Sequence, residues 1–348
     1  MKKRIISAIA AIVIAVGMTA CAGAVSVDEN GWYSFMLICN EGMNNDKGNA
    51  GNTVMVVSMN PENGLVRLMS FTWDTFIEYE GYDVPQRLDM PYRNGGAEEL
   101  LKVFDDNFQM GIEKYLSLNY LNLAGLIDDY GGVNVDVTRA ERNALNGMVA
   151  SKKNQLQAQA DTGLLTQIAI DLMAQEYQLD AYGPDTHLNG LQAVGFGWLQ
   201  YDSVYNCCKR EAEVIADLFE SVQKDVAGKV RLYSNDVERP WDEDGRRIIN
   251  IDEPTEEDID FLMQEISPIF DKSYNNMSEE EIRESGMIIV RTAYNAAKEG
   301  VNIFEDVDHA VLPVEAPLEQ YTTIAGQQGL LIDVEANVAA IKAFLYGE

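Results

Sequence analysis

The sequence predicts a layered α/β fold with a central sheet. Three apolar runs, Tyr33–Cys39, Thr53–Met59 and Leu65–Phe71, are rich in Val, Met and Phe and are bounded by Asn, Pro and Gly. Short runs of this kind indicate buried strands. Further along the chain, helical and strand patterns alternate, which is typical of helices packed on a sheet.

The individual elements follow from spacing and turn residues. Asn60–Gly64 (Asn-Pro-Glu-Asn-Gly) predicts a turn that pairs the second and third runs as a hairpin. Gly131-Gly132 ends a predicted helix and precedes the alternating strand Val133–Val137. Apolar residues recur at helical spacing in several other segments. The predicted helices are Ala97–Gln109, Tyr120–Tyr130, Thr138–Gln178 (divided near Asp161), Tyr205–Glu220, Phe261–Phe270, Glu279–Lys298 and Val334–Phe344, and Lys114–Leu118 is a further predicted strand.

Two stretches lack such patterns. Phe76–Asn94 is rich in Tyr, Asp and Pro and is expected to be irregular. Asp236–Asp260 is strongly acidic, and we interpret it as a surface insertion.

Net charge excludes one class of function. Lys and Arg number 26 and Asp and Glu 56, which gives a net charge of −30. Such a surface repels polyphosphate backbones, so no nucleic-acid partner is expected. Cys39, Cys207 and Cys208 form no disulfide framework, and two distant histidines give no Cys/His metal cluster.

The N-terminus resembles a secretion signal. Lys2-Lys3-Arg4 is followed by the apolar run Ile5–Met18, which is short for a membrane-spanning helix. Met18-Thr19-Ala20-Cys21 resembles a lipoprotein cleavage site, so Cys21 is the predicted lipid anchor; cleavage after Ala22 or Ala24, or an uncleaved anchor, are the alternatives. All three predict an extracytoplasmic, membrane-anchored or secreted protein. The predicted organisation is a signal peptide at 1–20, a linker at 21–32 and one domain at 33–348, with insertions near 138–178 and 229–260.

Several motifs together resemble the LytR–CpsA–Psr family of cell-envelope enzymes, found mostly in Gram-positive bacteria. Ser70–Thr75 followed by Arg87–Tyr92 resembles the family's Ser-x-Pro-Arg-Asp-Thr and Lys-Ile-Asn-x-x-Tyr. Tyr115–Val137 resembles its strand, helix, Gly-Gly and strand segment, and His187–Phe196 its Leu-Asn-Gly-x-Gln-Ala-Leu-x-Tyr run. The order and spacing of these motifs carry the resemblance.

The resemblance implies a fold and an activity. The fold would be α/β, with a mixed central β-sheet flanked by helices and with helical and acidic insertions. The family transfers glycopolymers from a polyprenyl diphosphate carrier to peptidoglycan. It holds the prenyl chain in an apolar cavity and the diphosphate in a polar mouth with arginines and Mg²⁺. Such a mouth agrees with the bidentate match between guanidinium and phosphate.

This sequence departs from the family at the mouth. Asn52 replaces one carboxylate of the expected metal pair. Each charge-assisted hydrogen bond contributes ~1.5–3 kcal/mol, so losing five of them removes on the order of 5–10 kcal/mol of diphosphate binding even after generous discounting. The family's arginine positions are occupied by Met43, Ala50, Trp73, Trp198, Gln200 and Cys207, whereas Glu41, Asp74, Arg87, Lys209 and Arg210 keep a charge.

The residues that remain allow two roles. If the protein is active, Asp74, Arg87 and Arg210 would be catalytic, and Glu41 and Asp74 would bind Mg²⁺. Alternatively, Asp74 caps a turn, and the arginines pair with Glu41, Asp74 or Glu211 instead of binding an anion.

The aromatic replacements allow two interpretations. Trp73 and Trp198 would either form a lip that stacks on a sugar or pack over the vacated site. In the first case Gln200 is a further candidate ligand-binding residue.

The sequence therefore favours a degenerate, non-catalytic family member that binds a polyprenyl-linked or glycan ligand, a cell-wall polymer or a protein partner. The alternatives are an active Mg²⁺-dependent glycopolymer–peptidoglycan phosphotransferase and an interaction module with a collapsed cavity.

Overall fold

The structure is a computed structural model. It describes residues 27–40, 51–160, 174–233, 241–299, 308–313 and 321–346. The predicted signal peptide and anchor at Cys21 lie outside these ranges, as do Glu41, Met43 and Ala50.

A six-stranded mixed sheet forms the centre of the protein, in the order β11-β6-β1-β2-β3-β12. Strand β2 is antiparallel to both β1 and β3, while β6 is parallel to β1 and β12 is parallel to β3. Strands β1, β3, β6 and β12 therefore end at the same edge of the sheet. The strands are β1 (Tyr33–Asn40), β2 (Gly51–Met59), β3 (Val66–Phe71), β6 (Tyr115–Asn119), β11 (Tyr274–Asn275) and β12 (Asp308–Leu312).

Helices cover the two faces of this sheet. Successive side chains of a strand point to opposite faces. Thus Phe35 and Leu37 of β1 enter one core, and Met36 and Ile38 enter the other. The helices are α1 (Asp89–Gly95), α2 (Ala97–Phe108), α3 (Tyr120–Asp129), α4 (Arg139–Ala160), α5 (Gly190–Gly197), α6 (Val204–Lys229), α7 (Glu256–Asp271), α8 (Glu279–Glu299) and α9 (Val334–Tyr346).

The two cores have different helical walls. The first core packs the sheet against α3, α5, α6, α7 and α8. The second core packs it against α1, α2 and α9, with Phe71, Phe104 and Phe108 in contact at ring-centroid distances of 4.7–5.1 Å. The sheet is thus buried on both faces, as the near-continuous apolar runs of β1 and β2 require.

Smaller sheets complete the fold. A four-stranded sheet has the order β13-β14-β4-β5, and β7 pairs with β8 and β9 with β10. The strands are β4 (Thr75–Ile77), β5 (Gln86–Arg87), β7 (Val133–Val137), β8 (Gly183–Leu188), β9 (Val230–Tyr233), β10 (Arg247–Asn250), β13 (Tyr321–Ile324) and β14 (Gln327–Leu331). No helix in the described ranges is long and apolar enough to cross a bilayer.

Most sequence-based expectations for the fold are confirmed. The structure has the mixed central sheet flanked by helices, the β2–β3 hairpin and the strand that precedes α3. The expectation that Phe76–Asn94 is irregular is wrong, because this stretch contains most of β4, all of β5 and most of α1. The acidic stretch contributes to the core as well, since Ile249 and Ile251 are buried. The predicted domain and insertion boundaries stay predictions.

Candidate functional site at the carboxyl ends of the central strands

Asp74 lies in a tight turn just past the end of β3. The Thr75 amide donates to the Thr72 carbonyl at 3.1 Å, and the two threonine hydroxyls are 2.6 Å apart. The Asp74 carboxyl is 1% exposed, and the Tyr321 hydroxyl donates to its Oδ2. The Leu330 amide donates to the Asp74 carbonyl at 3.0 Å. The β13–β14 hairpin therefore covers Asp74.

The second oxygen of this carboxyl has no partner. Oδ1 of Asp74 is buried and accepts no hydrogen bond within the part of the chain that the structure describes. Burial raises the pKa of Asp74, while the Thr72 hydroxyl and the Arg87 guanidinium act in the opposite direction. Loss of solvent disfavours the charged form of a carboxyl, so this group is a poorer anionic ligand than an exposed aspartate.

Arg87 is held by a carboxylate two residues away. Its Nε and Nη2 donate to the two oxygens of Asp89 at 3.1 and 2.8 Å, and Arg93 Nε donates to the same group at 3.1 Å. Asp89 is 2% exposed. The expected partners were Glu41, Asp74 or Glu211; pairing is found, but with Asp89. An Arg-x-Asp spacing at the junction of a strand and a helix was the signal available in the sequence.

Trp73 packs against Arg87. The Arg87 guanidinium lies 4.6 Å from the centre of the Trp73 ring, which is a cation–π contact. The indole nitrogen of Trp73 is buried, without a hydrogen-bond partner among the described residues. This geometry favours the interpretation in which Trp73 packs within the protein; its role at a ligand site stays a prediction.

Arg210 is buried in α6 and surrounded by acceptors. Its Nη1 and Nη2 donate to the carboxylate of Asp202 at 3.1 and 3.0 Å, Nη1 reaches Glu141 at 3.4 Å, and Nη2 also donates to the Leu199 carbonyl. Burial opposes ionisation of Asp202, but hydrogen bonds from Arg210 and its neighbours lower its pKa to about 2. Sequence reasoning missed both acidic partners of Arg210, because neither Glu141 nor Asp202 belongs to a motif.

Trp198 fills the space between the sheet and the helices. Its Nε1 donates to the Thr53 hydroxyl of β2 at 3.3 Å. A cavity of only about 10 Å³ remains there, lined in part by Cys39, Thr53, Trp198 and Glu211. This volume is at the lower limit for one water molecule. Gln200, two residues beyond Trp198, is exposed.

Glu211 is the most unusual acid at this end of the sheet. It is 5% exposed, and burial raises its pKa to about 8, although Thr53 and Arg210 favour the charged form. Cys207 Sγ lies 3.9 Å from its Oε1. Sequence reasoning considered Glu211 only as a partner for an arginine. Burial therefore favours the neutral form of this acid, against the effect of Thr53 and Arg210.

The described residues do not fit a magnesium site. Magnesium needs near-octahedral oxygen ligands, usually including one or two carboxylates. Asp74 supplies one carboxyl, but its neighbours are Tyr321 and the Arg87 guanidinium. No group of three His, Cys, Asp or Glu side chains able to hold a metal occurs in the described ranges. Glu41, the other predicted ligand, lies outside them.

A large apolar cavity lies at the opposite end of the same core. Its volume is about 430 Å³, and it is bounded by Met59 at the end of β2, Val66 at the start of β3, and helices α6, α7 and α8. Val66 and Phe71 are five residues apart on β3, which corresponds to about 17 Å at ~3.3 Å per residue. The cavity is therefore well separated from the strand ends that carry Asp74.

The fold resembles that of two solved structures, of TagV and of TagT. Bacillus subtilis TagV is 13% identical, with a TM-score of 0.57 over 91% of this chain and 98% of that chain. A structure entitled TagT bound to LIIa-WTA is 12% identical, with a TM-score of 0.56 over 94% of each chain. These likenesses concern the fold.

A sequence model of the LytR_cpsA_psr family matches residues 18–227 of the 348, and the chain belongs to that family. The polyisoprenyl-teichoic acid–peptidoglycan teichoic acid transferase TagV of Bacillus subtilis is 26% identical over 95 residues. This alignment covers 26% of the chain and 24% of TagV, so the match spans about a quarter of that relative.

Proposed function

We propose that this protein is a non-catalytic LytR–CpsA–Psr protein of the cell envelope, which binds a polyprenyl-linked or glycan ligand of cell-wall polymer assembly without transferring it. The single observation that carries the proposal is the pairing of Arg87 and Arg210 with carboxylates of their own chain.

Charge balance at the mouth supports this proposal. A diphosphate needs several donors that are free to bind it. The Arg87 and Arg93 guanidiniums share Asp89, and the side chain of Arg210 is 4% exposed and faces Asp202. Lys209, the residue before Arg210 on α6, is a further cation and is exposed. One lysine in a chain of net charge −30 is a weak site for a ligand with two or three negative charges.

The apolar cavity supports ligand binding over a collapsed cavity. About 430 Å³ falls within the range of 300–1,000 Å³ that is typical of ligand sites. Its lining is mainly aliphatic and includes Val222, Val226 and Ile289. An apolar ligand chain in this cavity is stabilised because its surface is removed from water, as the surface of a buried apolar side chain is.

Location is a further part of the proposal. Cys21 would carry the lipid anchor after removal of residues 1–20, so that the domain beginning at Tyr33 is held at the outer face of the membrane. The positive segment Lys2–Arg4 and the apolar run Ile5–Met18 support it.

A transfer assay tests the proposal. The purified protein is incubated with lipid-linked teichoic acid, peptidoglycan and Mg²⁺, with Bacillus subtilis TagV as the positive control, and its co-purified lipids are extracted and identified by mass spectrometry. We expect a bound lipid and no transfer above background. Transfer that the substitution Asp74→Ala abolishes would contradict the proposal and establish the active phosphotransferase.

A further inference from the structure

The rim of the apolar cavity carries three cations. Arg231 lies on β9, Arg246 just before β10, and Lys298 in the last turn of α8, and all three border the cavity. Cationic groups beside an apolar cavity are the arrangement that suits an amphiphile with an anionic head.

Two acids neutralise part of this positive charge. Arg246 pairs with Asp242 at 2.9 Å and with Asp244 at 2.7 Å, and Arg231 lies 3.7 Å from Asp242. Lys298 forms no ion pair with any residue in the ranges that the structure describes, and its side chain is exposed. Among the residues that the structure describes at this rim, three cations and two carboxylates leave a charge of +1. This excess matches one negative charge on a ligand.

The size of the cavity limits the chain of that ligand. A methylene group occupies nearly the volume of a water molecule, about 30 Å³, so 430 Å³ accommodates about 14 chain carbons. That is close to the length of one palmitoyl chain, and only one end of a longer polyprenyl chain would enter the cavity.

We propose that the cavity binds a long-chain fatty acid, with the acyl chain among Met59, Val222 and Ile289 and the carboxylate at Arg231, Arg246 and Lys298. The head then lies at the end of the sheet opposite to Asp74. This inference rests on the proposed function only in placing a lipid chain in the cavity, and it does not depend on whether transfer occurs.

Displacement of cis-parinaric acid from the full-length protein tests the inference, with palmitate, hexadecanol and farnesyl diphosphate as competitors. Lys298→Gln removes the cation that lacks an ion pair and keeps the length of the side chain. We expect it to weaken palmitate about tenfold, the loss of one charge-assisted hydrogen bond. Hexadecanol has no charge and should bind both proteins equally. Lys209→Gln, an exposed lysine at the other end of the sheet, should change nothing.

A second variant tests occupancy of the cavity. Ala293→Trp adds bulk to its wall and should abolish binding of palmitate and hexadecanol alike, with folding checked by circular dichroism. Three results would each overturn the inference. The first is a palmitate affinity that Lys298→Gln leaves unchanged, and the second is the absence of palmitate binding. The third is farnesyl diphosphate binding that is tighter than palmitate binding and is weakened by Lys209→Gln. Failure of the proposed function would appear separately, as turnover in the transfer assay.

Discussion

Replacing Arg210 with alanine is expected to lower the free energy of unfolding by about 3 kcal/mol, the effect of breaking a buried ion pair. Arg210 is 3% exposed, and its guanidinium joins Asp202, Glu141 and the Leu199 carbonyl. Its removal leaves these acceptors without their donor. Urea unfolding followed by circular dichroism measures the loss.

Lys209→Ala is the matched control for this prediction. Lys209 is the preceding residue on α6 and is exposed, so its truncation should change stability by less than about 0.5 kcal/mol, as for an ordinary surface site. If Arg210→Ala left stability unchanged but weakened an anionic ligand, Arg210 would be a binding residue and its structural role would be refuted.

Glu211 should make stability fall as pH rises. Burial raises its pKa to about 8 from 4.5, so the folded state keeps a proton that the unfolded state has lost. The contribution of this group is therefore fully present below the unfolded pKa and is lost as pH rises toward about 8. At ~1.4 kcal/mol per pH unit, the loss over this window is on the order of 5 kcal/mol.

Glu211→Gln should remove this slope, because the amide is neutral at every pH. Urea midpoints at pH 5 and pH 8 compare the wild type, Glu211→Gln and Glu279→Gln. Glu279 is an exposed glutamate in the first turn of α8, so its variant should retain the wild-type slope. Equal slopes in all three proteins would show that Glu211 ionises normally.

The sheet was predictable from the sequence because the patterns that specify its strands and turns lie within short stretches of chain. Strands β1, β2 and β3 are apolar runs of six to nine residues with strong turn residues between them. Gly64, at φ 76°, takes a backbone conformation in the β2–β3 turn that glycine favours. Strands β4 and β5 were missed because they are three and two residues long. Strand β4 pairs with β14 from the far end of the chain, and β5 pairs with β4.

The candidate site was harder to predict because its partners are distant in sequence. Motif positions pointed to Asp74 and Arg87, whose role as site residues stays a prediction. Tyr321, which binds Asp74, is 247 residues away and belongs to no recognised pattern. Glu141 reaches Arg210 from α4. Such pairings depend on how helices and hairpins pack, which residue spacing does not encode.

Titration of the protein with inorganic pyrophosphate in a calorimeter tests the central claim most directly. We expect no saturable binding by the wild type at millimolar ligand, because Asp89 holds both Arg87 and Arg93. The family motif that Arg87–Tyr92 resembles has an asparagine at the position of Asp89. The substitution Asp89→Asn places this neutral residue there and frees both guanidiniums. Its affinity should rise at least about tenfold, since each new charge-assisted bond contributes ~1.5–3 kcal/mol. Micromolar binding by the wild type, unchanged in Asp89→Asn, would contradict the account.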